Sequence, residues 1–575
     1  MAEQAYTVAS DGETVEDDRG SSVYPEIAIG IDIGTFQSSV AVWNGSQVDI
    51  LKNTKNQKMW RSYVTFKDEI PSSGVTNQIS DEFEIFSGSA IFNMKRLIGR
   101  ADTDPVVHSS KTTLPFLVQT LNIGTRPFLA ALVNNVWKST TPEEVLAVFL
   151  VDLRVIAELQ LKRAVRNVVL TVPVSFSRFQ LTRIERACAM AGLFVLRLMP
   201  EPTAVALLYG QHQQQTVHDN MGSGSENIAI IFNMGAGYCD VCVSATAGGV
   251  SQIKALSGSH IGGEDIVQNI MHHLLPNMDS LFLSHGNNEM KAMGLLRVAA
   301  QDAVIKLSSQ DIVMIDVDLE NGLRICKVLG RPEFEEVNRK VFEKCESLVE
   351  QCLFAARVDV EDISDVILVG GCSNIPKVKS LVLELCKKDE AYMGMDPLEA
   401  VVCGAALEGA VASGVSDPLG SLDLLTIQAT PQSLGIEADG HTFVPIIPRN
   451  MTMPARKEMW FTTTRDNQTE ALIVVYEGEG KKVDENRILG YFKIMGIPSA
   501  PKGIPEISVC MDLDASNVLR VFAGAVSPQT HQPVMPFLEV RMPTVDDGHG
   551  WCAETLVKMY GSALDLSILQ KKMQQ

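Results

Sequence analysis

Two stretches of the sequence set a carboxylate or an amide beside a glycine turn at the end of an apolar run. Residues 29–43 read IGIDIGTFQSSVAVW, and residues 230–245 read IIFNMGAGYCDVCVSA. Each has the pattern of a β-hairpin whose glycines let a backbone come close to a ligand. Laid over one another, Gly34 falls on Gly235, Val40 on Val241, and Asp32 on Asn233. A phosphate held between two such turns needs backbone N–H groups on small residues and a cation to neutralise charge. Gly34 and Thr35 offer those donors in the first turn, and Gly235, Ala236 and Gly237 in the second. Asp32 is placed to hold Mg²⁺ through water, because Mg²⁺ keeps most of its hydration and uses few carboxylates. Alone, D-x-G-T is as readily a plain tight turn; its repetition in register favours a phosphate cleft.

Two further stretches converge on such a cleft. Met199-Pro-Glu201-Pro follows a strand and opens a helix, so Glu201 either points a carboxylate at a bound water or serves as an acid at a helix N-terminus. Val369-Gly370-Gly371 ends a strand and leads into a helix, which lets a flat base or ribose lie against backbone.

The elements that position these residues follow from hydrophobic periodicity. From about residue 26 to 415, apolar strands alternate with amphipathic helices, the mark of an α/β architecture. EIAIGIDIG, SSVAVW and QVDILKN form one run of three strands; NIAIIFNMG, CDVCVSA and GVSQIKALS form another after a polar His/Gln-rich loop, QHQQQTVHDNMGSGSEN. The block is therefore an internal duplication, with the two matched hairpins facing across a cleft. TPEEVLAVFLVDLRVIAELQLKRA and SRFQLTRIERACAMAGL read as helices, the first with Thr141 and Pro142 at its start. Residues 416–428, SDPLGSLDLLTIQ, are a turn-rich linker carrying a short apolar segment. From 429 to 543, strands with turn signals dominate, spaced as in an antiparallel β-sandwich. Residues 544–575 carry a short stretch of helical periodicity.

At 575 residues the chain is too long for one core. Its net charge of −20 argues against broad binding to nucleic acid or anionic membranes, whose phosphates repel such a surface. Residues 1–25 are polar and acidic, without the apolar core of a secretory signal, and are expected to be disordered. No apolar run is long enough to span a bilayer, and the expected compartment is the cytoplasm, with nuclear access open. The eleven cysteines then read as reduced thiols. Cys239 and Cys242 are formally a C-x-x-C, but on a strand residues three apart face opposite sides.

On these motifs the sequence resembles the seventy-kilodalton heat-shock chaperones of the actin and sugar-kinase superfamily. The resemblance runs from about residue 26 to 526 and is carried by IGIDIGT, MKRLIGR, VVLTVPVSF, LRLMPEPTAVALLYG, GSHIGGEDI, VILVGGCSNIP, DLLTI, TPQSLGIE and VVYEGE. It implies an actin-like duplicated ATPase domain over 26–415, an interdomain linker, and a peptide-binding sandwich. It further implies ATP or ADP with Mg²⁺ in the cleft. By motif, Asp32, Gly34 and Thr35 match the first phosphate hairpin, Lys95 the catalytic lysine, and Glu201 the acid that positions water. Gly235 and Gly237 match the second hairpin, Gly262, Gly263, Glu264, Gly370 and Gly371 the ribose and adenine contacts, and Ser308 the adenine pocket. Pro173 matches a switch proline, and Asp423, Leu424 and Leu425 the signalling linker. Phe461 and Ile473 match the peptide groove. Unfolded or nascent polypeptides are the implied clients, with a J-domain protein, a nucleotide-exchange factor or a ribosome-associated protein as partner.

The sequence also departs from that pattern. Asn233 stands where an aspartate would help hold Mg²⁺ and the attacking water, and Tyr238 where a threonine would touch the γ-phosphate and where a ring would crowd it. Phe36 and Gln37 replace a threonine and an aromatic, and Val304 and Ile305 a lysine and an arginine at the base. Asn374 and Leu181 each replace an arginine. In the sandwich, Asp439 and Ala471 replace larger apolar residues, and the long helical lid is missing. The leading expectation is an ATP-binding chaperone with weak hydrolysis. The alternative is a non-hydrolysing nucleotide-binding adaptor, like the lidless ribosome-associated relatives; a sugar kinase would leave the sandwich unexplained.

Overall fold

The three-strand pattern that occurs twice in the sequence folds twice. The computed structural model describes residues 27–543, apart from 54, 68–70, 77–84, 121–125, 135, 221–225, 283–285, 416, 418–419, 439 and 528–531, and also describes 564–565. In the first half, β1 (Ala28–Asp32), β2 (Gln37–Trp43) and β3 (Val48–Ile50) form an antiparallel meander. Strands β4 (Asn167–Val172) and β5 (Phe194–Pro200) extend it in parallel, in the order β5-β4-β1-β2-β3. Helix α1 (Met94–Leu97) is a single turn. Helix α2 (Pro142–Leu161) starts on a capping box in which Thr141 and Glu144 satisfy each other's backbone N–H. Ser177 and Gln180 do the same for α3 (Arg178–Met190). Helix α4 (Glu201–Asn220) opens directly on Glu201. It runs through most of the stretch expected to be a loop, since Gln and His are tolerated in a helix and the first glycine comes only at Gly222.

The second half repeats the arrangement. Strands β6 (Asn227–Met234), β7 (Cys239–Ala247) and β8 (Val250–Ser259) form the meander, and β9 (Ile363–Val369) pairs in parallel with β6. The linker completes this sheet: β10 (Leu425–Ile427) pairs in parallel with β8 through Val250, Ser251 and Gln252. Leu424 is buried in the core beneath, whereas Leu425 points to solvent. Helix α4 packs on β6, β7 and β8, and the helices that follow include α5 (Gly263–Leu274), α6 (Asn287–Leu307), α7 (Pro376–Leu385) and α8 (Ala400–Ala412). Cys239 and Cys242 are both fully buried, in different cores on the two faces of β7, which disposes of a metal or redox pair.

Helix α8 joins the halves. Apart from Glu408, which pairs with Arg197, its sequence is apolar on every side, as suits a helix buried all round. A β-carbon at Gly404 would lie 1.9 Å from the carbonyl oxygen of Ala204 on α4, and one at Gly30 on β1 would lie 2.3 Å from Ala406 N. Backbone thus packs on backbone at both contacts.

The sandwich has two sheets. One runs β12-β11-β14-β15 and the other β18-β17-β16-β13-β19, with β11 Leu434–Ala438, β12 Thr442–Ile447, β13 Ala455–Thr463, β14 Glu470–Glu477, β15 Arg487–Met495, β16 Glu506–Leu513, β17 Leu519–Val526, β18 Leu538–Met542 and β19 Leu564–Asp565. Residues 1–26 and Asp439 lie outside the described residues. So does the expected C-terminal helix, except for β19, which is extended and pairs with Thr462 and Thr463 of β13. Among the described residues, no helix is long and apolar enough to cross a membrane.

Because Gly404 meets main chain rather than a side chain able to move aside, Gly404→Ala should cost about 1–3 kcal/mol of stability. The check is the urea midpoint of the variant beside wild type; an unchanged midpoint would disprove the backbone contact.

Candidate functional site

The two glycine turns meet across the cleft between the halves. A β-carbon at Gly237 would sit 2.1 Å from Thr35 Oγ1, so only glycine allows this approach. The cavity they border measures about 340 Å³. It brings together Asp32, Gly34, Thr35, Lys95, Glu201, Gly235, Gly237, Gly263, Glu264, Ser308, Gly370 and Gly371. Gly262 stays outside the lining and donates its N–H to Asp265 at 2.8 Å, in the first turn of α5.

At the cavity floor, Thr171 donates to Asp32 Oδ1 at 2.8 Å. Burial and the nearby Glu201 carboxylate push Asp32 up to about 6, against the pull of Lys95 and Thr171. Lys95 is buried, which opposes its charge, yet Glu201 and Asp32 more than offset this and hold the ammonium above its ordinary range. Lys95 Nζ lies 2.6 Å from Glu201 Oε1, and Asn233 Nδ2 lies 2.6 Å from Glu201 Oε2. A carboxylate only accepts, so Asn233 must present its amide N–H₂, a donor that an aspartate lacks. Both oxygens of Glu201 are therefore engaged by protein.

One acid here escaped the sequence reading. Asp240 faces Asn233 in the β6–β7 register. It is fully buried, its Oδ2 accepts from Val174 N at 3.1 Å, and its Oδ1 takes no hydrogen bond. Burial, reinforced by Glu201, drives its pKa well above the usual carboxylate range. Counting outward from the glycine turn would have found it, since hairpin partners are fixed by register.

The far end of the cavity is apolar where the resemblance implied cations. Val304 and Ile305 line it beside Ser308, and Ser308 Oγ donates to the Val304 carbonyl at 3.3 Å. Glu264 is pinned in a buried, bidentate ion pair with Arg297. Burial alone would raise Glu264, but Arg297 holds it down at about 2. Arg61 also borders the cavity, stacked over the Phe36 ring at 3.4 Å. Its position is set by the pairing of Arg61 with Gln37 rather than by any motif.

Tyr238 borders the cavity too, but its ring does not stand in it. The ring is buried in the core of the first half, edge-on to Phe176. Pro173 is buried at the end of β4, in the turn that carries Val174 to Asp240 and Phe176 to Tyr238.

The sandwich is docked on the first half through this same segment. Arg178 N donates to Glu477 Oε2 at 3.0 Å, the Arg178 guanidinium lies 3.6 Å from Glu477 and bonds Asn517, and Phe179 enters the sandwich core. Arg449 and Asn450 hold the Leu256 backbone of the second half at 2.7 and 2.9 Å. Phe461 and Ile473, expected in a peptide groove, are both fully buried in the core between the sandwich sheets. Strand alternation turns them inward, and inward here is the core rather than an open surface.

A family model described as "Hsp70 protein" matches residues 28–535. The chain belongs to the Hsp70 family. Its Hsp70 character extends beyond the family model: the chain is 68% identical to Heat shock 70 kDa protein 8 of Arabidopsis thaliana over 575 residues, all of both chains. It is 33% identical to Heat shock 70 kDa protein 2 of Paracoccidioides lutzii, over 86% of this chain and 74% of that one. It is 34% identical to Heat shock cognate 70 kDa protein 3 of Dictyostelium discoideum, over 86% and 78% respectively. This Hsp70 is thus an ATP-binding molecular chaperone with an actin-like domain and a β-sandwich, and the adaptor reading is not favoured. Chaperones of this family generally bind unfolded polypeptides and work with co-chaperones.

Removing one member of the buried Arg297–Glu264 pair strands the other. Arg297→Leu should cost roughly 3–5 kcal/mol, read from urea denaturation. The pair's contribution is full above the ordinary glutamate value of 4.5 and is lost as pH falls from there through about 2. The stability gap between wild type and Glu264→Gln should therefore shrink on acidification; a gap that widens would refute the pairing.

Proposed function

We propose that this Hsp70 binds Mg·ATP in the cleft, turns it over slowly, and handles peptide through the docked sandwich. The phosphates would lie against Gly34, Thr35, Gly235 and Gly237, with the base and ribose toward Gly263, Ser308, Gly370 and Gly371. The residues present fit a hydrated Mg²⁺. Asp32 reaches the cavity, and among the described residues no cluster of three or more acids, histidines or cysteines stands ready to cage a metal. When bound, the ion would neutralise phosphate charge. Asp32 would hold it through water, and Lys95 would face the terminal phosphate. ADP would occupy the same cleft after turnover. The clients would be unfolded or nascent polypeptides, with a J-domain protein, a nucleotide-exchange factor or a ribosome-associated protein as partner, in the cytoplasm. The net charge of −20 disfavours broad binding to nucleic acid.

One observation carries the slow step. Lys95 and Asn233 each sit 2.6 Å from a different oxygen of Glu201, which leaves that carboxylate poorly placed to orient a water. Positioned bases contribute roughly 10²–10⁴ in rate. Asn233→Asp removes the donor and adds a third carboxylate to Asp32 and Glu201 at the cavity. In single-turnover hydrolysis of pre-bound ATP, the variant should gain at least about tenfold, a fraction of that range. Calorimetric titration should show that wild type still binds Mg·ATP. A wild type that already cleaves as fast as Asn233→Asp would overturn the account of Asn233, and a wild type that retains no nucleotide would overturn the whole reading.

A further inference from the structure

Tyr238 belongs to the second half of the ATPase domain by sequence and to the first half by packing. It follows the glycine turn between β6 and β7, yet among the buried residues described in the first half's core it alone comes from the second half. Its ring meets Phe176 edge-on, with centroids 5.4 Å apart at 80°. Its hydroxyl donates to the Lys95 carbonyl at 3.2 Å and accepts from Arg100 at 3.4 Å. Arg100 is itself held by Asp104 at 2.5 Å. Close by, Arg96 of the first half grips Asp265 of the second with two bonds, at 2.8 and 2.9 Å. Opening the cleft would have to pull an aromatic ring out of a core and break a bidentate ion pair.

The partner of that ring lies in the segment that receives the sandwich. The Ser175 and Phe176 carbonyls accept from Gln432 at 3.4 and 3.5 Å, and two residues on, Arg178 is bonded to Glu477 and Asn517. Phe179 is already part of the sandwich core. The position beside the phosphate turn is thus tied, through one ring contact, to the turn on which the sandwich rests.

We propose that Tyr238 is a clasp that keeps the two halves closed and the sandwich docked without help from nucleotide. Every contact in the chain Tyr238–Phe176–Gln432 and Arg178–Glu477 is made by protein groups, so its strength does not depend on a γ-phosphate. A threonine at this position is too short to reach Phe176, and the same surfaces would then need a ligand to bring them together. The clasp does not rest on ATP turnover, and it is read from docking alone.

The readout is amide exchange of the linker strand Leu425–Ile427 in the full chain, with and without Mg·ATP, because β10 can pair with β8 only when the linker is seated. In wild type the protection should differ by less than about twofold between the two conditions. Tyr238→Thr, without nucleotide, should lose at least about tenfold of that protection, and Tyr238→Phe, which keeps the ring and drops the hydroxyl, should lose less. Wild-type protection that collapses when ATP is removed overturns the clasp, as does a Tyr238→Thr linker protected like wild type. If Tyr238→Thr does not fold, the wild-type comparison decides: nucleotide-independent protection supports the clasp and nucleotide-dependent protection refutes it. A chain that binds no ATP yet keeps its linker seated would refute the functional reading and leave the clasp standing.

Discussion

The short, buried bridge Lys95–Glu201–Asn233 is the constraint around which the rest of the ATPase domain is arranged. It gathers a lysine in α1, an acid at the start of α4 and an amide at the end of β6. These three elements come from both halves of the duplication, so the bridge exists only when the halves are in register. Half-buried Asp32 and fully buried Asp240 lie near the same ammonium, and both carboxyls are pushed upward by desolvation and by Glu201. Buried acids packed this closely favour neutral forms or a shared cation. The floor of the cleft therefore gathers acids around one ammonium, and Asn233 meets Glu201 there as a donor without adding a further negative charge.

Much of this arrangement was legible in the sequence. The repeated strand–turn–strand pattern gave the duplication, and the overlay of Asp32 on Asn233 gave the facing turns. Glu201 was placed at a helix start by the strand and proline that precede it. What escaped was what tertiary packing decides. Nothing in the Trp60-Arg61-Ser62 stretch announces a cleft residue, because Arg61 arrives there by cross-strand pairing with Gln37. Alternation along β13 correctly turns Phe461 inward but does not distinguish a covered core from an open groove. The side chain of Tyr238 was expected near a phosphate, whereas a free aromatic edge on Phe176 gave its ring a better place. The His/Gln-rich stretch lacks an apolar stripe, so its helix follows from continuing α4 rather than from a pattern of its own.

The interface between the ATPase domain and the sandwich rests on desolvated charge. Arg178 and Glu477 are both buried, and burial weakens the charge on each while the partner restores it. Such a pair contributes little net stability compared with apolar residues of the same shape, but it is intolerant of a wrong partner. That suits a surface that must find one orientation, as opposed to a greasy interface that would hold in several.

The pairing of Leu564–Asp565 with the end of β13 has a consequence for how the molecule behaves in a crowd. A sheet margin with unsatisfied N–H and C=O groups is a template onto which other chains can polymerise, a hazard for a protein that works among unfolded polypeptides. Here one end of β13 is occupied by the chain's own Leu564–Asp565, and the other carries Arg456, Lys457 and Glu458 exposed in succession. Self-pairing at one end and a run of charge at the other leave little of that margin for copies of the protein to recruit one another into fibrils.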